Sequence, residues 1–81
     1  MDQAEIYQKL TGIFRDILDD DDLTLRPELT AADVPGWDSF NHINIVVATE
    51  AAFGIKFKSA EVEELKNVGE FITLIQAKLR K

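Results

Sequence analysis

The chain contains no cysteine. That removes disulfides, thiolate zinc sites and a cysteine nucleophile, so any thiol chemistry has to arrive on an imported group. Proline occurs twice and glycine four times, and there is no low-complexity linker, internal repeat or second domain. No apolar run approaches the roughly 20 residues needed to cross a bilayer, and the acidic residues Asp2 and Glu5 make the start unlike a signal peptide. These absences lead us to expect a soluble, cytoplasmic monomer with no membrane partner. Basic residues are scarce: residues 1–39 carry ten acids against three bases, residues 40–81 five acids against six bases, and the net charge is −6. Nucleic acid is a poor partner for such a surface, whereas basic patches on proteins suit it. With 81 residues, 46% of them hydrophobic, the chain reads as one domain, 1–81, with a small core and no interior to spare for an enclosed catalytic site.

Apolar periodicity sets out an all-α fold. Ile6, Leu10, Ile13, Phe14, Ile17 and Leu18 recur at steps of three and four, which predicts an amphipathic helix over residues 3–18. Asp2 suits its N-cap, with Glu5 three positions on. Asp19, Asp20, Asp21 and Asp22 then oppose continuation, because negative charge is unfavourable at a helix C-terminus. Residues 19–37 form a long connection, interrupted by Leu23, Leu25, Leu29 and Val34, which are expected to pin it to the bundle. A loop this long inside a compact domain usually has a function. A second helix over 39–53 is predicted, ending at Gly54, with Phe40, Ile43, Val46, Val47 and Phe53 facing a core or groove. Ser59 caps a predicted brief third helix. Asn67, with Glu70 three residues later, opens a last one with Val68, Phe71, Ile72, Ile75 and Leu79 on its apolar face. Lys78, Arg80 and Lys81 suit its C-terminus. The expected architecture is a small four-helix bundle, three main helices and one short one, with a long first loop.

The segment Gly36-Trp37-Asp38-Ser39-Phe40 puts a serine hydroxyl at the start of the second helix. A phosphodiester there would meet unpaired N–H groups and the positive end of the helix dipole, a gain of roughly 0.3–1 kcal/mol if exposed. Asp38 or Ser39 would serve equally as an ordinary N-cap. The position of this motif near mid-chain, and the run Glu50-x-x-Phe53-Gly54-Ile55 at the far end of the same helix, make the chain resemble the acyl carrier protein family over nearly its whole length. The resemblance implies that Ser39 carries 4′-phosphopantetheine, a covalent group taken from coenzyme A by a magnesium-dependent phosphopantetheinyl transferase. It also implies that Asp38 helps the transferase recognise the site, and that acyl groups ride the arm as thioesters. Partners would be an acyl-loading ligase or acyltransferase and downstream synthases, as in fatty-acid or polyketide biosynthesis. Trp37, Phe40, Val47 and Glu50 are then the candidate docking residues, and Ile43, Val46, Val62, Leu65, Val68 and Ile72 the candidate walls of an acyl pocket. Phe71 stands where the family often has a smaller side chain, which argues against a long fatty chain.

Other chemistries fit less well. Ser39, His42 and Asp38 together suggest a hydrolase, yet nothing matches a nucleophile elbow or supplies an oxyanion hole, so no catalytic residue is assigned and the chain is not expected to be an enzyme. The four aspartates lack the glycine and glutamate of a calcium loop, and no metal site is assigned. Fatty-acid carriers usually have Leu after the serine and several acids along the second helix. Here Phe40, Asn41, Asn44, Ala51 and Ala52 stand in those places, leaving only Asp38 and Glu50 as acids within residues 38–53. Docking should therefore lean on apolar contact around Phe40 and Val47, as in a specialised carrier serving a dedicated acyl or aminoacyl pathway. The reading from a different class is a helical interaction adaptor in which Ser39 is only a cap.

Overall fold

In a computed structural model, residues 2–80 are described, apart from the Arg80 side chain. The expected contributions of Arg80 and Lys81 to the last helix terminus lie outside what is described. The described residues form four α-helices, α1 (Gln3–Leu18), α2 (Ser39–Phe53), α3 (Ser59–Glu63) and α4 (Val68–Arg80), with a 3-10 turn at Ala31–Asp33 inside the long connection. No described residue is in a strand.

Helix α1 begins where Asp2 accepts the Glu5 N–H at 2.9 Å and buries Ile6, Leu10 and Phe14 completely. Ile13, Ile17 and Leu18 are partly buried against the same core. It stops at Asp19, which takes a left-handed conformation (φ 54°) while its N–H turns back to the Arg15 carbonyl. Helix α1 packs on α2 and α4, and α4 contributes the apolar face its sequence predicts: Val68, Phe71, Ile72 and Ile75 are buried, and Leu79 packs beside them. Truncating a fully buried ring such as Phe14 to alanine would cost about 3–5 kcal/mol, because the transfer energy and the cavity add.

The long connection is tied down as the leucines predict. Leu25, Leu29 and Val34 are buried, Leu23 packs against the core, and the Arg15 Nε donates to the Leu23 carbonyl at 2.8 Å. Its backbone also serves α4. The Val68 N–H donates to the Leu29 carbonyl and the Gly69 N–H to the Pro27 carbonyl, each at 2.9 Å. Two N–H groups of the first turn of α4, which lack intrahelical partners, are thereby satisfied. Gly69 permits this approach, since a β-carbon there would lie 3.1 Å from the Pro27 carbonyl oxygen. Asn67 completes the start by accepting the Glu70 N–H at 2.8 Å.

Two sequence expectations are corrected. Helix α3 begins one residue earlier than expected: Lys58, not Ser59, occupies the N-cap position and Ser59 is the first helical residue. The Glu61 carboxylate does the capping instead, accepting the Lys58 N–H at 2.8 Å and pairing with Lys78 of α4 at 2.8 Å. In α2, the core side is Ile45, Val46, Thr49 and Phe53. Phe40, Ile43 and Val47 are 73%, 61% and 58% exposed and face outward. Helix α2 is apolar on both sides, so its sequence alone does not choose the buried one. Thr49 is tolerated inside because its hydroxyl donates to the Ile45 carbonyl at 2.7 Å.

Candidate functional site

Gly36, with φ 87°, turns the chain so that Trp37 goes inward and Asp38 and Ser39 stay exposed. A left-handed residue at this point favours glycine, which has no β-carbon to clash. Asp38, in extended conformation, is the N-cap of α2, and its carboxylate accepts the Asn41 N–H at 2.8 Å. The Asn41 side-chain amide reaches back to the Gly36 carbonyl at 2.6 Å. Capping is thus done by Asp38 and not by Ser39. The serine is the first residue of the helix, exposed, at the end where anions are favoured.

A cleft of 350 Å³ adjoins Ser39, lined by Ala31, Trp37, Asp38, Ser39, His42, Leu65 and Lys66. Its wall is organised by one hydrogen bond, from the Trp37 indole Nε1–H to His42 Nδ1 at 3.1 Å. The ring of His42 therefore accepts at Nδ1 and carries its proton at Nε2. Burial holds the His42 pKa below its ordinary 6.5, and a backbone hydrogen bond to Val62 acts in the opposite direction with less weight. Aromatic contacts continue on both sides: Trp37 meets Phe14 edge-on with centroids 4.9 Å apart, His42 lies 6.2 Å from Phe71, and Phe71 lies 5.8 Å from Phe57.

Trp37, Glu50 and Ile43 lie elsewhere than expected from the sequence. Trp37, a candidate docking residue, is buried at 7% exposure and belongs to the core, because its ring packs on Phe14 and its N–H is spent on His42. Glu50 is half-buried and its carboxylate accepts the Phe57 N–H at 2.8 Å, fastening the connection after α2. Of the six candidate pocket walls, only Leu65 lines the cleft beside Ser39. Val46, Val68 and Ile72 are buried in the core, Val62 is half-buried against it, and Ile43 is turned outward on α2. Phe40 and Val47 are exposed, and with Ile43 they form an apolar stripe at steps of three and four along α2. The pairing of Trp37 with His42 escaped sequence reasoning. Its signal was the five-residue spacing across a helix start, which puts a side chain preceding the N-cap beside the first turn.

No family model matches the chain. Individual relatives do. It is 32% identical over 79 residues to the acyl carrier protein of Thermosynechococcus vestitus, covering 98% of both chains. It is 31% identical over 77 residues to the acyl carrier protein of Thermotoga maritima, covering 95% of both. The chain belongs to the acyl carrier protein family. The solved structure of the holo acyl carrier protein from Geobacter metallireducens superposes with a TM-score of 0.86 at 41% identity, over 93% of this chain and 86% of that one. The all-helical bundle described above is the acyl carrier fold. Among the described residues, no helix is long and apolar enough to cross a membrane.

Proposed function

We propose that this acyl carrier protein bears 4′-phosphopantetheine on the Ser39 hydroxyl and presents acyl or aminoacyl thioesters to partner enzymes. Members of the family are carriers and not enzymes, so the chain supplies a site and a handle while partners supply the catalysis. The observation that carries the reading is the division of labour between neighbours: Asp38 caps α2, which leaves the Ser39 oxygen exposed and without a capping duty. A serine whose only role was to cap would be expected to make the bond that Asp38 makes. The cleft with His42 and Lys66 beside Ser39 leaves room for a phosphodiester, and Lys66 brings a cation to the same cleft. When bound, the arm contributes a flexible reach and a terminal thiol that this cysteine-free chain lacks.

The partners, by this reading, are a phosphopantetheinyl transferase, a loading ligase or acyltransferase and downstream synthases, all in the cytoplasm with the coenzyme A that donates the arm. The docking face is the outward stripe Phe40, Ile43 and Val47. Both acids of this segment, Asp38 and Glu50, are already bonded to backbone N–H groups, which supports docking through apolar contact more than through charge. The test is the intact mass of the protein before and after incubation with coenzyme A, magnesium and a broad-specificity transferase, with Ser39→Ala in parallel. Gain of one phosphopantetheine by the wild type alone supports the reading. No gain, with no modified species at the start and a cognate transferase also tried, returns the chain to the adaptor class.

A further inference from the structure

The cleft beside Ser39 meets the hydrophobic core at aromatic rings and at Leu65. Trp37 and His42 line the cleft, and the next ring behind His42 is Phe71 of α4, 1% exposed. With Phe14 and Phe57 at its ends, the row Phe14, Trp37, His42, Phe71, Phe57 crosses from α1 to the connection after α2 with neighbouring centroids 4.9, 5.9, 6.2 and 5.8 Å apart. Those are contact distances for rings, so the row is continuous. The row is also braced, because Trp37 Nε1 donates to His42 Nδ1. In the core, Val68 and Ile72 of α4 are buried with 0% and 1% exposure, and a close-packed interior does not admit extra methylenes without displacing what is there.

Resting on the carrier reading, we propose that Trp37, His42 and Phe71 close this bundle to long alkyl chains, so that the cargo is a short acyl or aminoacyl group kept at the Ser39 cleft. A long chain on this protein stays outside, in solvent or on a partner. The limit is set by side chains and not by the backbone, so reducing His42 or Phe71 opens the way that the rings block.

The experiment loads the full-length protein with butanoyl or octanoyl phosphopantetheine, using the matching acyl-coenzyme A and a broad-specificity transferase. Intact mass confirms each load. It then follows cleavage of the thioester by neutral hydroxylamine. A chain drawn into the protein pulls its thioester out of reach of the reagent, so sheltering appears as slower cleavage. The expected result is equal rates for both chains on the wild type, and severalfold slower cleavage of octanoyl than of butanoyl on His42→Ala or Phe71→Leu. Two variants are used because Phe71 is buried, whereas His42 is half-buried and its removal is milder; circular dichroism verifies that each is folded. Slower cleavage of octanoyl on the wild type overturns the proposal. Equal rates on folded forms of both variants overturn it too, since the rings would then not set the limit. Failure to load at all would count against the carrier reading and would be seen separately in the mass.

Discussion

The Trp37 indole Nε1–H donates to His42 Nδ1 at 3.1 Å, and this bond sets the neutral tautomer of the only histidine in the chain. A proton added to Nδ1 would face the indole N–H, donor against donor, so the neutral ring is favoured in the folded protein.

Stability should therefore depend on this histidine over a defined pH range. Burial lowers the folded-state pKa of His42 below the ordinary 6.5, so the unfolded chain takes up a proton first as pH falls. The stabilisation is complete above 6.5, declines as pH drops from there through the folded-state pKa, and then levels off. Asp38 and Lys66, which line the same cleft, oppose each other in sign near the ring. Denaturant unfolding of the wild type and His42→Gln between pH 5 and pH 7.5 checks this: the slope in this window should flatten in the variant. A long-range nitrogen–proton NMR spectrum should show the Nε2–H tautomer at neutral pH.

The outward stripe on α2 should matter for partners and little for folding. Phe40→Ser and Val47→Ser remove exposed side chains, so each should change stability by less than about 0.5 kcal/mol. Arm transfer by the phosphopantetheinyl transferase should nevertheless slow, with kcat/KM falling by a factor corresponding to about 1–2 kcal/mol for Phe40 if it is an anchor. Raising the salt concentration should affect the wild-type rate only weakly, because the stripe carries no charge. Initial rates across a salt series measure both effects.

Two helix ends make opposite predictions. Gly54 closes α2 with φ 67°, and Gly54→Ala forces a β-carbon into the left-handed region at a cost of about 1 kcal/mol. Asp19 closes α1 with φ 54°, combining the same backbone with a negative charge at the wrong end of the helix dipole. Asp19→Gly should stabilise by about 0.5–1 kcal/mol. Urea midpoints of the two variants should move in opposite directions from the wild type.

Breaking the cap of α2 gives a further check on the separate roles of Asp38 and Ser39. Asp38→Ala leaves the Asn41 N–H without its acceptor and should cost about 1 kcal/mol. Ser39→Ala changes an exposed first-turn residue and should leave thermal stability close to that of the wild type. Thermal melts of both variants measure the contrast.

The helices that carry a one-sided pattern could be read from the sequence to the residue. Helix α1 spans the predicted 3–18, and α4 buries the predicted Val68, Phe71, Ile72 and Ile75. The bounds of α2 were also readable, since Asp38 and Gly54 are chemically suited to its two ends, but its buried side was not. With Phe40, Ile43 and Val47 on one side and Ile45, Val46 and Phe53 on the other, hydrophobicity has no preferred direction, and packing against α1 decides. Trp37 was misjudged for a related reason: a tryptophan beside an exposed motif looks available, and only its contacts with Phe14 and His42 reveal that it is enclosed. The carbonyls that Pro27 and Leu29 offer to α4 depend on where a loop returns in space, which local sequence does not encode.

On the proposed function, Ser39 is the residue that carries the arm. Tandem mass spectrometry of the transferase-treated protein tests it most directly, by ejecting the phosphopantetheine and mapping the modified peptide. One modified residue, Ser39, is expected in the wild type and none in Ser39→Ala. Modification at another serine or threonine, or persistence of the arm in Ser39→Ala, would contradict it.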